Sequence, residues 1–131
     1  MMHHDVGDLK EFYATALGQA VRRLLTHRIR ARWRGLGGAT LIGLGYASPY
    51  LGAFRGEVRR IGALMPEAQG ALAWPTDAPV MSVLVEEDRL PLADGSVDRL
   101  LAVHCLEMAE RGRPLLREIW RVLAPEGRLM L

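Results

Sequence analysis

Apolar residues near the start of the chain recur three or four positions apart: Leu9, Phe12, Tyr13, Leu17, Val21, Leu24, Leu25 and Ile29, running on to Trp33. That period predicts one amphipathic helix, with Asp5 or Asp8 at the end where an acid favours the helix dipole and Gly35, Gly37 and Gly38 to stop it. Beyond the glycines the pattern changes to short apolar runs separated by turn residues. Ala39 to Leu44 is a continuous apolar run suited to a strand covered on both faces, and Val58 to Leu64, Val80 to Val85 and Val97 to Val103 predict further strands. Ser48-Pro49 reads as a helix start, since a serine hydroxyl caps free amides and proline fits the first helical position. From Pro66 through Gly70, Pro75 and Pro79 only a short helix or irregular loop is expected, and Glu86 to Gly95 reads as an acidic loop. Pro114 to Leu123 is the clearest helix, with Leu115, Leu116, Ile119, Trp120 and Leu123 on one face and Arg117 and Arg121 on the other. Pro125 and Gly127 end it, and Arg128 to Leu131 begins a last strand.

Strands that alternate with helices or long crossovers call for an α/β fold with a mostly parallel sheet. A hydrophobic content of 50% in 131 residues suffices for one compact core, and no apolar stretch reaches the length of a membrane span. The N-terminus lacks the basic and apolar regions of a signal peptide, so the cytoplasm is the expected compartment. Cys105 is the only cysteine, which excludes an internal disulfide and any multi-cysteine metal site; a small core residue is the expected role. The net charge of +2 says little about partners, but Arg22, Arg23, Arg28, Arg30, Arg32 and Arg34 form a stretch without an acid. A solvated helix face is expected there, with contact to nucleic acid or an anionic membrane as the alternative.

In an open parallel sheet ligands bind beyond the carboxyl ends of the strands, where the strand order switches. Leu41 to Pro49 lies at the first such end: Gly45 lets the backbone turn and approach a ligand, and the following helix directs free amides at an anion. Taken alone, a Gly-x-Gly here equally suits a tight strand-to-helix turn.

Two later segments add to this. Leu90-Pro91-Leu92-Ala93-Asp94-Gly95-Ser96-Val97-Asp98, followed by Glu118-Ile119-Trp120-Arg121-Val122-Leu123-Ala124-Pro125-Glu126-Gly127, resembles the type 11 branch of the class I S-adenosylmethionine-dependent methyltransferases. Glu126 stands where that branch has the first glycine of its Pro-Gly-Gly turn. The resemblance implies a Rossmann-like sheet of about five strands with helices on both faces, preceded by the N-terminal amphipathic helix. It divides the chain into an N-terminal basic helical extension, 1–38, and an incomplete methyltransferase-like domain, 39–131. It also implies S-adenosylmethionine as cofactor, with Gly43, Gly45, Tyr46 and Ala47 in the cofactor loop, Leu64 at the end of the second strand, Glu86 or Asp88 on the adenine side, and His104 at the cofactor's edge.

Several of these positions depart from the family pattern. Gly43 stands where an acid receives the cofactor's ammonium group, Ala47 and Pro49 replace loop glycines, and Leu64 stands where an acid clamps the ribose, with Glu67 or Glu57 as possible substitutes. A hydrogen bond to a charged group contributes about 1.5 to 3 kcal/mol, so losing two weakens binding by roughly a hundred- to ten-thousandfold. His104 and Glu107, after the fourth strand, are candidates for receiving a proton, against a structural role for each. The acids from Glu86 to Asp98 match no metal-binding loop, so no metal is expected, and Trp33, Trp74 and Trp120 are expected as packing anchors.

The functions that follow are methyl transfer to an unidentified acceptor, weak or absent in so short a chain, or a non-catalytic binding or scaffold module that kept the fold and lost the cofactor. A dinucleotide-binding oxidoreductase is disfavoured because Ser48 occupies the third glycine position and no ribose acid ends the second strand. The family's last two strands, which commonly help to bind the acceptor, are expected to be absent. The final strand would then be an exposed edge through which two copies pair.

Overall fold

The computed structural model describes residues 6–66, 82–105, 109 and 111–131. Five parallel strands, β1 (Thr40–Gly45), β2 (Arg60–Pro66), β3 (Ser82–Val85), β4 (Val97–Val103) and β5 (Leu123–Met130), lie in the order β3-β2-β1-β4-β5. Side chains alternate across the sheet, so one face carries Leu41, Ala63, Met65 and Leu101 and the other carries Ile42, Leu44, Leu64, Leu100 and Ala102. Helices cover both faces, as the alternation of apolar runs and turns predicts.

The first face is covered by α1 (Val6–Ala14), α2 (Ala16–Arg32) and α3 (Ser48–Leu51), through Leu9, Tyr13, Ile29, Trp33, Tyr50 and Leu51. Where one helix is expected over Leu9 to Trp33, two form. Thr15 is extended, its hydroxyl accepts a hydrogen bond from the Gly18 amide at 3.0 Å, and it caps α2. The chain folds so tightly there that a Cβ on Gly18 would lie 2.0 Å from the Phe12 carbonyl oxygen. At α3, Ala47 rather than Ser48 is the cap residue, without a side-chain bond, and the helix passes after one turn into a 3₁₀ segment, Gly52–Phe54.

The second face is covered by α4 (Gly112–Val122), which buries Leu115, Ile119 and Val122. Leu116 and Trp120 do not share that face: Trp120 is 82% exposed, so the expected packing anchor is a surface residue. The 100° step between helical residues carries positions 116 and 120 past the edge of the buried stripe. Trp33 and Cys105 are buried as expected, whereas Trp74 lies outside the described residues.

β2 runs two residues beyond Leu64, to Pro66, because it pairs with β3 as far as Pro66 opposite Val85. β5 includes Pro125 to Gly127 as an irregularity, its register against β4 jumping from Val97–Leu123 to Arg99–Arg128. Gly127 passes close enough to β4 that a Cβ would lie 3.0 Å from the Val97 carbonyl oxygen. β3 and β5 are the edges of the sheet. No helix among the described residues is long and apolar enough to cross a membrane, and those residues contain no cluster of metal-ligating side chains.

Candidate functional site

The turn from β1 into α3 emerges between β2 and β4, where the strand order reverses. Gly45 has φ +83°, and a Cβ on it would lie 2.4 Å from the Val103 carbonyl oxygen and 2.8 Å from Cys105 Cβ. Only glycine fits there. The Tyr46 amide donates to the same Val103 oxygen at 2.8 Å, tying the loop to the end of β4. Gly43 is crowded differently: its Cβ would lie 2.7 Å from both Ala47 Cβ and Leu51 Cδ1. The space that an acidic side chain would enter from position 43 is therefore filled by the methyl group of Ala47, itself a replaced loop glycine, and by Leu51.

Tyr13 of α1 covers this loop. Its ring stacks on Tyr46 with centroids 5.5 Å apart and meets Tyr50 edge-on at 5.9 Å. Its hydroxyl lies 2.6 Å from Tyr50 Oη and 3.1 Å from His104 Nε2. Burial pushes the Tyr13 phenol well above its ordinary range, reinforced by the bond to Tyr50. Burial raises Tyr46 as well, and it raises Tyr50 against the opposing influence of the bond to Tyr13 and the Arg22 charge. His104 has φ +49°, so the chain leaves β4 in the left-handed region, unusual for a residue other than glycine. Tyr13 carries no functional signal in sequence, because it reads as an apolar position of the first helix, and Tyr50 belongs to no motif there.

The structure draws the other candidates apart. Leu64 is interior to β2, two residues before its end, and buried with Ile42, Leu44 and Val85. Glu67 and Glu107 lie outside the described residues. Glu57 pairs with Arg30, whose guanidinium also lies over the Phe54 ring, so its carboxylate serves the packing of α2. Glu86 is exposed directly after β3, and its backbone carbonyl accepts the Arg89 amide at 3.2 Å. Asp88 forms an ion pair with Arg111 at 2.6 Å. The acid between them, Glu87, is buried, and its Oε2 accepts the Arg111 amide at 2.7 Å.

The two segments that carry the resemblance are joined to one another. Arg121 of α4 donates to the Leu92 and Leu90 carbonyls at 2.8 and 2.9 Å and to Asp94 at 2.7 Å, while Glu118 accepts the Leu90 amide at 2.8 Å and two bonds from Arg121. The Arg121 guanidinium holds the Glu118 carboxyl below its ordinary range. Asp98 in turn accepts the Thr40 amide at 2.8 Å, fastening the start of β1 to β4. These bonds join α4 to the Leu90–Asp94 turn and β4 to the start of β1.

Between α1, α2 and the ends of β4 and β5 lies a cleft of about 910 Å³. Among the candidate cofactor residues it takes in His104, and the β1 loop residues do not line it.

A sequence profile described as the methyltransferase domain, of type 11, matches residues 42–131. The chain belongs to this methyltransferase family, and its sheet is the Rossmann-like sheet of the class I fold. Among solved structures, it is similar to the [4+2]-cyclase SpnF, with 27% identity, a TM-score of 0.69, and coverage of 88% of this chain and 46% of that one. It is also similar to a chain of the Haloferax volcanii complex between a methyltransferase activator and its methyltransferase, with 26% identity, a TM-score of 0.65, and coverage of 92% and 56%. The YcgJ protein of Bacillus subtilis shares the fold at 17% identity and a TM-score of 0.64, over 79% of this chain and 47% of that one. The chain thus spans about half the length of these structures. No curated protein matches it in sequence.

Set against S-adenosylmethionine, the described residues fit unevenly. Aromatic and backbone groups surround the β1 loop, but neither Gly43 nor Leu64 supplies a carboxylate, and the room for one at position 43 is taken. The cofactor's ammonium group finds no carboxylate at Gly43, and its ribose finds none at Leu64.

Proposed function

We propose that the protein is an S-adenosylmethionine-dependent methyltransferase acting on an unidentified acceptor, with cofactor binding weakened in this chain. The observation that supports this reading is the strand order β3-β2-β1-β4-β5, with Gly45 turning the chain at the switch between β1 and β4. In this reading Gly43, Gly45, Tyr46 and Ala47 form the cofactor loop, Glu86 takes the adenine side in preference to the Arg111-paired Asp88, and His104 lies at the cofactor's edge. Bound, the cofactor supplies an electrophilic methyl group. What the protein contributes to such a transfer is alignment and exclusion of water, and Tyr13 closing over Tyr46 supports the second. In the same reading residues 1–38 are an N-terminal basic helical extension that precedes the methyltransferase-like domain, 39–131. The cytoplasm remains the proposed compartment.

A second reading, a non-catalytic module that has lost the cofactor, is favoured by the packing of Ala47 and Leu51 into the space at Gly43. Calorimetric titration with S-adenosylmethionine and S-adenosylhomocysteine, with NAD as control, separates the two. Saturable binding of the sulfonium pair alone supports the enzyme. No binding supports the module. For partners, we propose a second copy pairing along the β5 edge, for which a monodisperse monomer in solution scattering is the adverse result.

A further inference from the structure

The cleft beside the β1 loop has the construction of a ligand site in its own right. Its volume of about 910 Å³ lies within the range of small-molecule pockets. Val21, Leu25 and Ile29 of α2 form one wall, and Leu101, Val103 and Met130 at the ends of β4 and β5 form the other. These walls are apolar and suit a hydrocarbon body. Arg28 and Arg32, one helical turn apart on α2, add two exposed guanidiniums to the same wall. Arg22, six residues before Arg28 and not among the lining residues, lies near enough to Tyr50 for its charge to favour the phenolate. No acidic residue is among those described as lining the cleft. The charged side chains among the described lining residues are thus both cationic, and the hydroxyls of Tyr13 and Tyr50 with the His104 imidazole give the inner end further polar atoms.

We propose that this cleft binds a small amphipathic carboxylate, its chain against the apolar walls and its charge on Arg28 and Arg32. A planar, delocalised guanidinium pairs with a carboxylate through two parallel hydrogen bonds, which is the recognition that a neutral or cationic analogue cannot reproduce. The concave shape, with walls on two layers of the fold, favours a single bound molecule over a flat lipid surface. His104 is shared with the methyl-transfer reading, whereas none of the β1 loop residues lines the cleft.

The test is calorimetric titration of the whole protein with decanoate, with decanol and decyltrimethylammonium as probes of equal chain length. Decanoate is expected to bind saturably, one per chain and tighter than either control. The Arg28→Gln/Arg32→Gln variant, altered only at exposed positions, is expected to lose about tenfold or more for decanoate and to leave decanol unchanged. Leu25→Trp, which narrows the cleft without touching the charges, is expected to weaken decanoate and decanol alike. Equal binding of decanoate by wild type and the double variant, or of decanol and decanoate by wild type, overturns the proposal. So does an affinity that falls as protein concentration rises, which would give the cleft to a second copy of the chain.

Discussion

Tyr13 and Tyr50 meet through their hydroxyls, Oη to Oη at 2.6 Å, and this bond fastens the first helix to the turn that follows β1. The Tyr13 hydroxyl also reaches His104, so one oxygen joins three elements that are far apart in sequence. Tyr13→Phe keeps the ring packing and removes this oxygen, leaving Tyr50 without its partner. A loss of about 1 to 2 kcal/mol is expected in urea unfolding.

The same phenol sets an alkaline limit. The folded pKa of Tyr13 lies above its ordinary value of 10.0, so the folded protein holds this proton more tightly than the unfolded chain does. Its contribution is complete below about pH 10 and is lost as pH rises through the folded pKa. Unfolding measured at neutral pH and above about pH 10 should show a steeper alkaline loss in wild type than in Tyr13→Phe. Equal slopes would remove Tyr13 from the explanation.

At the break between α1 and α2, Gly18→Ala places a methyl group 2.0 Å from the Phe12 carbonyl oxygen, and nothing flexible can move aside. A destabilisation of about 1 to 3 kcal/mol is expected, as for other overpacked sites. Gly52→Ala is the control: an added Cβ meets nothing within 4 Å and φ is −55°. It should be neutral or stabilise by about 0.4 to 1 kcal/mol.

Position 43 gives a test of the lost-acid idea. Gly43→Asp alone should destabilise the fold by about 1 to 3 kcal/mol, because its Cβ meets Ala47 and Leu51 at 2.7 Å, and should not strengthen cofactor binding. Gly43→Asp with Ala47→Gly removes one of the two obstructions. The pair should recover stability and bind S-adenosylmethionine more tightly than the single variant by calorimetry. Tighter binding by the single variant would show that the space opens readily.

Arg121 connects α4 to the Leu90–Asp94 turn and depresses the Glu118 carboxyl. A depressed carboxyl stabilises the fold above its ordinary pKa of 4.5, and that contribution is lost as pH falls through the folded value. Arg121→Gln should lower Tm at neutral pH and flatten the acid limb. It should also speed hydrogen exchange of the Leu90 amide. Unchanged exchange there would mean that the turn holds its shape without the clamp.

Local pattern reaches a definite depth in this chain. The strand Val97 to Val103, the helix beginning near Pro114 and the glycine turn at Gly45 were legible because each depends on neighbours a few residues away: a run of apolar side chains, a proline at a helix start, a glycine where φ turns positive. The family was legible for a related reason. Leu90 to Asp98 and Glu118 to Gly127 are each short continuous motifs, and in the fold hydrogen bonds from Glu118 and Arg121 to Leu90 and Leu92 join the two.

Tertiary structure alone decided the rest. Trp120 is apolar by type and surface by position, since the 100° step of one residue on α4 separates it from Ile119. Leu64 became a strand interior only when β2 paired with β3 as far as Pro66. That Gly43 has no room for an acid depends on Leu51, and that Tyr13 covers the loop depends on a helix break set by the packing of Gly18 against Phe12. Sequence by itself determined the layered parallel fold and the glycine turn at the switch of strand order. The three-dimensional packing decided which side chains reach that place, because a contact between residues distant in the chain leaves no periodic trace along it.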